Sequence, residues 1–333
     1  MCAQKGIEAS KAGKWELTLT RYKGNPLIIP LEDNWWESEQ TFNPGVMTVG
    51  DQVHILYRAI GRDYVSRLGY ARSRNGLRID ERSREPVYQH RLPTSNLLQM
   101  MSPSGGGFVG SEDPRVVVIG DTVYMTYTLY DGYNIRVAIN SISLEDFLGK
   151  EWRWGRPHVI SPEGEKHKNW MLFPKKFEGK FAILHSLSPR VQIAFVEDFE
   201  GVVIRSKFDG GYGMGRRERW DAVIRGAAAP PIETKDGWLL LYHGSPVREI
   251  GGYRLGAMLL DLVDPTTVIG RHNTPLLVPE EWYEWCGFKP GVIYATGAVV
   301  LKGRLLVYYG ASDSYVCLAE IGLDELLSNI TRK

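Results

Sequence analysis

The chain has 333 residues, 43% hydrophobic and 24% charged, with 40 Lys and Arg against 39 Asp and Glu for a formal charge of +1. That composition fits a folded protein and excludes extended disorder, and the even charge excludes a non-specific binder of nucleic acid or anionic membrane. No apolar run reaches the roughly 18 residues of a membrane-spanning helix, the N-terminal MCAQKGIEASKAGKWELT lacks the apolar core of a secretory signal, and Cys2, Cys286 and Cys317 form no CxxC pair. A cytoplasmic protein without metal, disulfides or membrane contact is therefore expected.

Gly (36) and Pro (18) make up about one residue in six, Tyr (17) and Trp (10) are plentiful, and few stretches carry a 3.6-residue period. Short strands separated by turns are the expected elements. In chain order the strands fall into five similar units. FNPGVMTV, GDQVHILYRA and RLGYARS come first, then EDPRVVVI, GDTVYMTYTL and IRVAINSIS. LFPKKFE, GKFAILHS and VQIAFVED follow, then APPIETK, GWLLLYHG and YRLGAMLLD, then TGAVVLK, GRLLVYYG and VCLAEIGLD. Four of the five opening strands carry Pro near the start, where no ladder donor is lost, and Gly297 takes its place in the fifth. The only helical candidates are Ser143 to Leu148 and a short tail, Leu323 to Ile330.

Three or four strands repeated five times, at a period of about 60 residues, predict an all-β fold: a five-bladed β-propeller forming one domain over 1–333. The expected blades are roughly 41–100, 111–160, 170–215, 225–275 and 294–325. In such a ring the opening strands line the axis. Chemistry is then expected where the first strand begins and the second ends. Arg58, Thr128, His185, His243 and Tyr309 share one register there.

Gly105, Gly107 and Gly110 match GxGxxG but lead into a strand, so the helix terminus that would hold a pyrophosphate is missing. The scattered histidines give no metal pattern. The informative motif is SEDPR, 111–115: Asp113 opens an axial strand, and strand alternation sends Glu112 to the other side. Asp113 reads either as a general acid facing the axis or as a cap ahead of Pro114, with Arg115 paired to Glu112. Arg58, Lys175, Lys176, Arg190 and His243 form a cationic set near the same ends, suited to an oxyanion. Trp35, Trp36, Tyr130, Tyr133 and the WYEW stretch at 282–285 could stack on sugar rings or pack between units.

Taken together, NPLIIP (25–30), TFNPGV (41–46), LYRA (56–59), LGYARS (68–73), EDPR (112–115), LFPKK (172–176), GWLLLYHG (237–244), GYRLGAMLLDL (252–262), PLLVPE (275–280) and YYGASD (308–313) resemble glycoside hydrolase family 130, the mannoside phosphorylases and related mannosidases. The resemblance implies a five-bladed propeller with Asp113 as the single catalytic acid. It implies inorganic phosphate as co-substrate with no cofactor. It also implies Arg58, Lys175, His243 and Tyr253 around phosphate, with Arg190 standing in for a further ligand, and Asn43, Arg115 and Asp313 on the sugar. The expected reaction is inverting phosphorolysis of a β-mannoside, a short manno-oligosaccharide or mannosyl disaccharide, giving α-mannose 1-phosphate; a homo-oligomer is possible within this reading. Two departures stand out. Ser186 occupies a position where phosphorylases of the family carry Arg, and VIRGAAAPP (223–231) sets Arg225 one step off register. The alternatives are a β-mannosidase that activates water through Glu197 or Glu218, and a carbohydrate-binding propeller without turnover.

Overall fold

In the computed structural model, residues 17–91, 108–206 and 213–332 are described here; Cys2, Gly105 and Gly107 lie outside them. The chain is all-β with three short α-helices among the described residues: Leu144–Gly149, Trp282–Trp285 and Leu323–Ser328. The first is capped by Ser143, whose hydroxyl accepts from the Asp146 N–H, and the third matches the expected tail. The second, a stretch the sequence offered for sugar stacking or for packing between units, is closed by reciprocal hydrogen bonds between Glu281 and Glu284.

Five antiparallel units follow one another. Their first three strands are Gln40–Val49, Gln52–Ile60 and Ser66–Ser73; then Gly110–Ile119, Thr122–Tyr130 and Ile135–Ser143. The third unit has Met171–Phe177, Lys180–Ser186 and Gln192–Val196. The fourth has Val223–Ala227 continuing into Ile232–Thr234, then Gly237–Ser245 and Arg254–Leu260; the fifth has Ile293–Leu301, Arg304–Ala311 and Tyr315–Gly322. The N-terminal strand Thr20–Arg21 adds to the edge of the fifth unit, so the start of the chain completes the last sheet.

Alternation along these strands gives every sheet two apolar faces, and each face is buried against a neighbouring unit. Leu56, Leu68 and Tyr70 of the first unit pack with Val123, Met125 and Tyr127 of the second. Val137 and Ile139 meet Leu172 and Ile183 of the third, whose Phe173 and Leu184 meet Trp238 and Tyr242 of the fourth. Leu239 and Leu255 then meet Leu305 and Val307 of the fifth. Ile55 and Tyr57 of the first unit pack on Leu306 and Tyr308, which joins the last unit to the first. Apolar contacts thus run from each unit to the next and from the last to the first.

The five opening strands come together. Val46–Thr48, Val116–Val118, Pro174, Pro230–Glu233 and Ala298–Val300, drawn from all five, line one cavity. The approach of the first two units is close enough that a Cβ on Gly45 would lie 2.6 Å from the Pro114 carbonyl oxygen. Each opening strand also carries a bulge, at Phe42/Gly45, Glu112/Arg115, Leu172/Lys176, Ile224/Gly226 and Ala295/Gly297. These interruptions place the candidate chemistry.

Candidate active site

The first two bulges are built alike, around Asn43-Pro44 and Asp113-Pro114. Proline has no N–H for the ladder, and Asn and Asp tolerate left-handed backbone better than most residues; Asn43 has φ 44° and Asp113 φ 50°. The two turned-in side chains meet, Asn43 Nδ2 donating to Asp113 Oδ1 at 2.8 Å. The bulge also breaks the expected alternation. Glu112 is not sent to the other side: it is fully buried and lies on the same guanidinium as Asp113, with Arg58 Nη1 at 3.1 Å from Asp113 Oδ1 and Nη2 at 3.3 Å from Glu112 Oε1. Lys168 Nζ holds the other Glu112 oxygen at 2.7 Å.

Arg115 does not pair with Glu112 either. It donates to the Asp113 carbonyl at 2.7 Å and to Asn169 Oδ1 at 2.9 Å, and the same Asn169 oxygen accepts from the Tyr294 hydroxyl at 3.0 Å. The Tyr294 ring stacks on His243, centroids 4.2 Å apart and planes 9° from parallel, and Tyr253 stands beside both rings. The backbone N–H of Ala295 donates to His243 Nε2, which fixes the neutral tautomer with its proton on Nδ1, an atom with no hydrogen-bond partner among the described residues. Burial, with Arg115 and Arg225 nearby, pushes the His243 pKa down to about 3, so this N–H stays uncharged at neutral pH.

Two carboxyls at the centre are driven in opposite directions. Burial pushes Asp113 up, but Arg58, Arg115 and Lys168 outweigh it and hold the group below the usual carboxylate range. Burial pushes Asp313 up and prevails there, although Lys289 lies 3.2 Å away. Asp313 comes from the fifth unit, where it too has left-handed backbone, φ 50°.

Beside this network lies a cavity lined by Lys168, Asn169, His185, Ser186, Ser188 and Arg225, among others. Its lining sets two cationic side chains against amide and hydroxyl groups, a donor-rich surface suited to an oxyanion. Arg225 is the extra residue of the fourth unit's bulge. Its one-step offset in sequence is what turns it into the cavity.

A family model described as beta-1,4-mannooligosaccharide phosphorylase matches residues 32–332. The chain belongs to glycoside hydrolase family 130. Within the family it is 33% identical to a 1,2-beta-oligomannan phosphorylase of Thermoanaerobacter sp. (strain X514), over 93% of this chain and 99% of that protein. It is 32% identical to a beta-1,2-mannobiose phosphorylase of the same organism, over 91% and 97%. In fold it is similar to a glycosyl hydrolase from Bacteroides ovatus, 24% identical with a TM-score of 0.71, covering 94% of this chain and 96% of that one.

Of the residues that the family resemblance singles out, the structure brings Asn43, Arg58, Asp113, Arg115, His243, Tyr253 and Asp313 together. Two others go elsewhere. Lys175 is the last residue of the three-residue bulge of the third unit and pairs with Glu233 at 2.5 Å over the Trp238 ring, its side chain 43% exposed. Arg190 is exposed in the turn after Ser186 and does not line the cavity. In the polar column, Tyr309 turns to Glu284, which it reaches at 2.8 Å. Glu197 and Glu218, the alternative water activators, are both exposed. Sequence reasoning missed Lys168, Asn169, Lys289 and Tyr294; only the left-handed Asn169, φ 65°, belongs to a residue type that hints at such a turn.

One glycine is essential to this assembly. A Cβ at Gly310 would overlap Asn43 Oδ1 and lie 2.8 Å from the Asn43 backbone nitrogen. Gly310→Ala is expected to displace Asn43 from Asp113 and to lower both activity and Tm, measured by mannoside cleavage and thermal melting; an unchanged rate would remove Asn43 from the account.

Proposed function

We propose that this family member cleaves β-mannosides by inverting phosphorolysis, within a single five-bladed propeller. The five cores that join each unit to the next support the blade count. The observation that carries the activity is the pairing of one buried carboxyl, Asp113, with a cationic, donor-lined cavity. Glu112 and Asp313 are each held by a cation, Glu112 by Arg58 and Lys168 and Asp313 by Lys289, so neither is placed to activate water. An anionic nucleophile needs no base, only cations to hold it.

Inorganic phosphate is the co-substrate, with Lys168, Arg115 and Arg225 as cationic ligands and the His243 Nδ1–H and Tyr253 as neutral ones. This revises the expected set: Lys168 and Arg225 replace Lys175 and Arg190, Arg115 moves from the sugar to phosphate, and Arg58 moves from phosphate to the acid. Asn43 and Asp313 hold the mannosyl unit on the opposite side of Asp113, and Arg58 clamps the acid itself. A phosphate oxygen forms a bond to C1 as the C1–O glycosidic bond breaks. Asp113 supplies the proton that the leaving oxygen takes up, and the product is α-mannose 1-phosphate. The two curated relatives named for β-1,2-linked mannosides support that linkage as the first choice. The buried thiol of Cys317 suits a reducing, cytoplasmic setting.

Incubating β-1,2- and β-1,4-mannobiose with and without phosphate tests this reading. Cleavage is expected only with phosphate, and faster for the 1,2 linkage; equal release of mannose in phosphate-free buffer would overturn it.

Asp113 is ionised in the unliganded site, so its proton must arrive with the ligands. An anion that takes Lys168 and Arg115 weakens their hold and raises the proton affinity of Asp113. Sulfate, which does not titrate between pH 5 and 8, is therefore expected to bind more tightly as pH falls and with proton uptake, read by calorimetry in buffers of different ionisation enthalpy. Asp113→Asn should abolish that uptake.

A further inference from the structure

Resting on that reading, we propose that Glu112 is a positioning residue that sets when Asp113 can carry its proton, by drawing Arg58 and Lys168 partly off the acid. Glu112 is fully buried, and its two oxygens are divided between these cations, Oε1 at 3.3 Å from Arg58 Nη2 and Oε2 at 2.7 Å from Lys168 Nζ. Arg58 also donates to Asp113 Oδ1 at 3.1 Å and, through Nε, to the Ser66 hydroxyl at 2.9 Å, while Ser66 donates to the Ser111 carbonyl at 2.7 Å. The clamp is thus tied to the backbone just ahead of the acid. It exists only because the bulge at Asp113-Pro114 turns two consecutive carboxylates toward one guanidinium, against strand alternation.

The charges around Asp113 give the sign. Its own strand contributes Glu112 and Arg115, the first unit contributes Arg58 and the neutral Asn43, and Lys168 precedes the third unit. Arg225 and the neutral His243 come from the fourth, and Asp313, Lys289 and Tyr294 come with the fifth. Cations that act on the acid directly are Arg58, Arg115 and Lys168, and two of these three are shared with Glu112. Neutralising Glu112 removes its competing negative charge and leaves both acting more fully on Asp113, which stabilises its carboxylate and delays protonation to lower pH. The burial of Glu112 strengthens the effect, since solvent screens little there.

The test is the Asp113 carboxyl titration by 13C NMR in the phosphate-free protein, together with the pH profile of kcat at saturating phosphate. In Glu112→Gln the titration midpoint is expected to fall by about one pH unit or more. The alkaline limb of kcat should move by the same amount, with activity recovered on acidification. Glu112→Asp keeps the charge and should hold both the midpoint and the limb near wild type while lowering the rate. If Glu112→Gln does not fold, the double variant Glu112→Gln/Lys168→Met removes the pair together and should return the midpoint to the wild-type value. A midpoint that is unmoved or raised in Glu112→Gln, or a kcat lowered equally at every pH, overturns the proposal. The titration stands apart from turnover: a wild-type protein that fails to phosphorolyse any mannoside would sink the functional reading and leave the NMR result to decide the role of Glu112.

Discussion

Replacing Asp113 by Asn is expected to lower kcat by about 10²–10⁴-fold, the usual contribution of a positioned general acid, with little change in fold or in affinity for the sugar. The isosteric amide keeps the Asn43 and Arg58 neighbours in place but has no proton to give up. The site itself argues for this outcome. Asp113 is held in left-handed backbone ahead of a proline, and strain of this kind, about 1–3 kcal/mol per residue, persists where the surrounding structure over-determines it. Here the determinants are Asn43, Arg58 and the Arg115 contact to the Asp113 carbonyl. Steady-state kinetics against an activated mannoside would sharpen the test. A leaving group that needs no protonation should be cleaved by Asp113→Asn nearly as fast as by the wild type. A variant equally impaired on both substrates would show that Asp113 serves geometry and not proton transfer.

Arg225→Ala is expected to raise the KM for phosphate by roughly 10–150-fold, the equivalent of losing one charge-assisted hydrogen bond of about 1.5–3 kcal/mol, while the KM for the mannoside changes little. Arg225 lines the cavity beside Lys168 and Ser186, and its charge acts on Arg115, His243 and Tyr294. Lys175→Ala is the matched control. That ammonium pairs with Glu233 at the surface, so its removal should leave the phosphate KM unchanged. A reversal, with Lys175 controlling phosphate and Arg225 silent, would restore the arrangement expected from sequence and refute the cavity assigned here.

The contrast between these two cations marks how far the sequence could be read. Patterns of period two, turn glycines and a repeat of about 60 residues were legible because each reflects a local rule, and the five strand units follow from them; two of the three short helices were legible as well. Asp113 stood out through its motif and Asn43 and Asp313 through the family resemblance, and the three do lie together. What escaped was set by bulges. One extra residue at Arg225 turns its side chain into the cavity, three residues opposite one at Leu172–Lys176 accompany Lys175 on its way to Glu233, and the turn at Asp113 brings Glu112 inward. A bulge depends on what the neighbouring unit presents, as when Gly226 yields space to Asn169, so no single strand encodes it. The WYEW segment was legible only in part: its aromatic residues left stacking and packing both open, and nothing in it signalled that Glu284 is a buried acceptor for Arg21 and Tyr309.

The most direct test of the central claim follows the reaction by 31P and 1H NMR. With β-1,2-mannobiose and phosphate, the account predicts one α-mannose 1-phosphate for every glycosidic bond broken, formed at the first turnover and without a β-anomer preceding it. Free mannose from both halves of the disaccharide, with the phosphate signal unchanged, would contradict it.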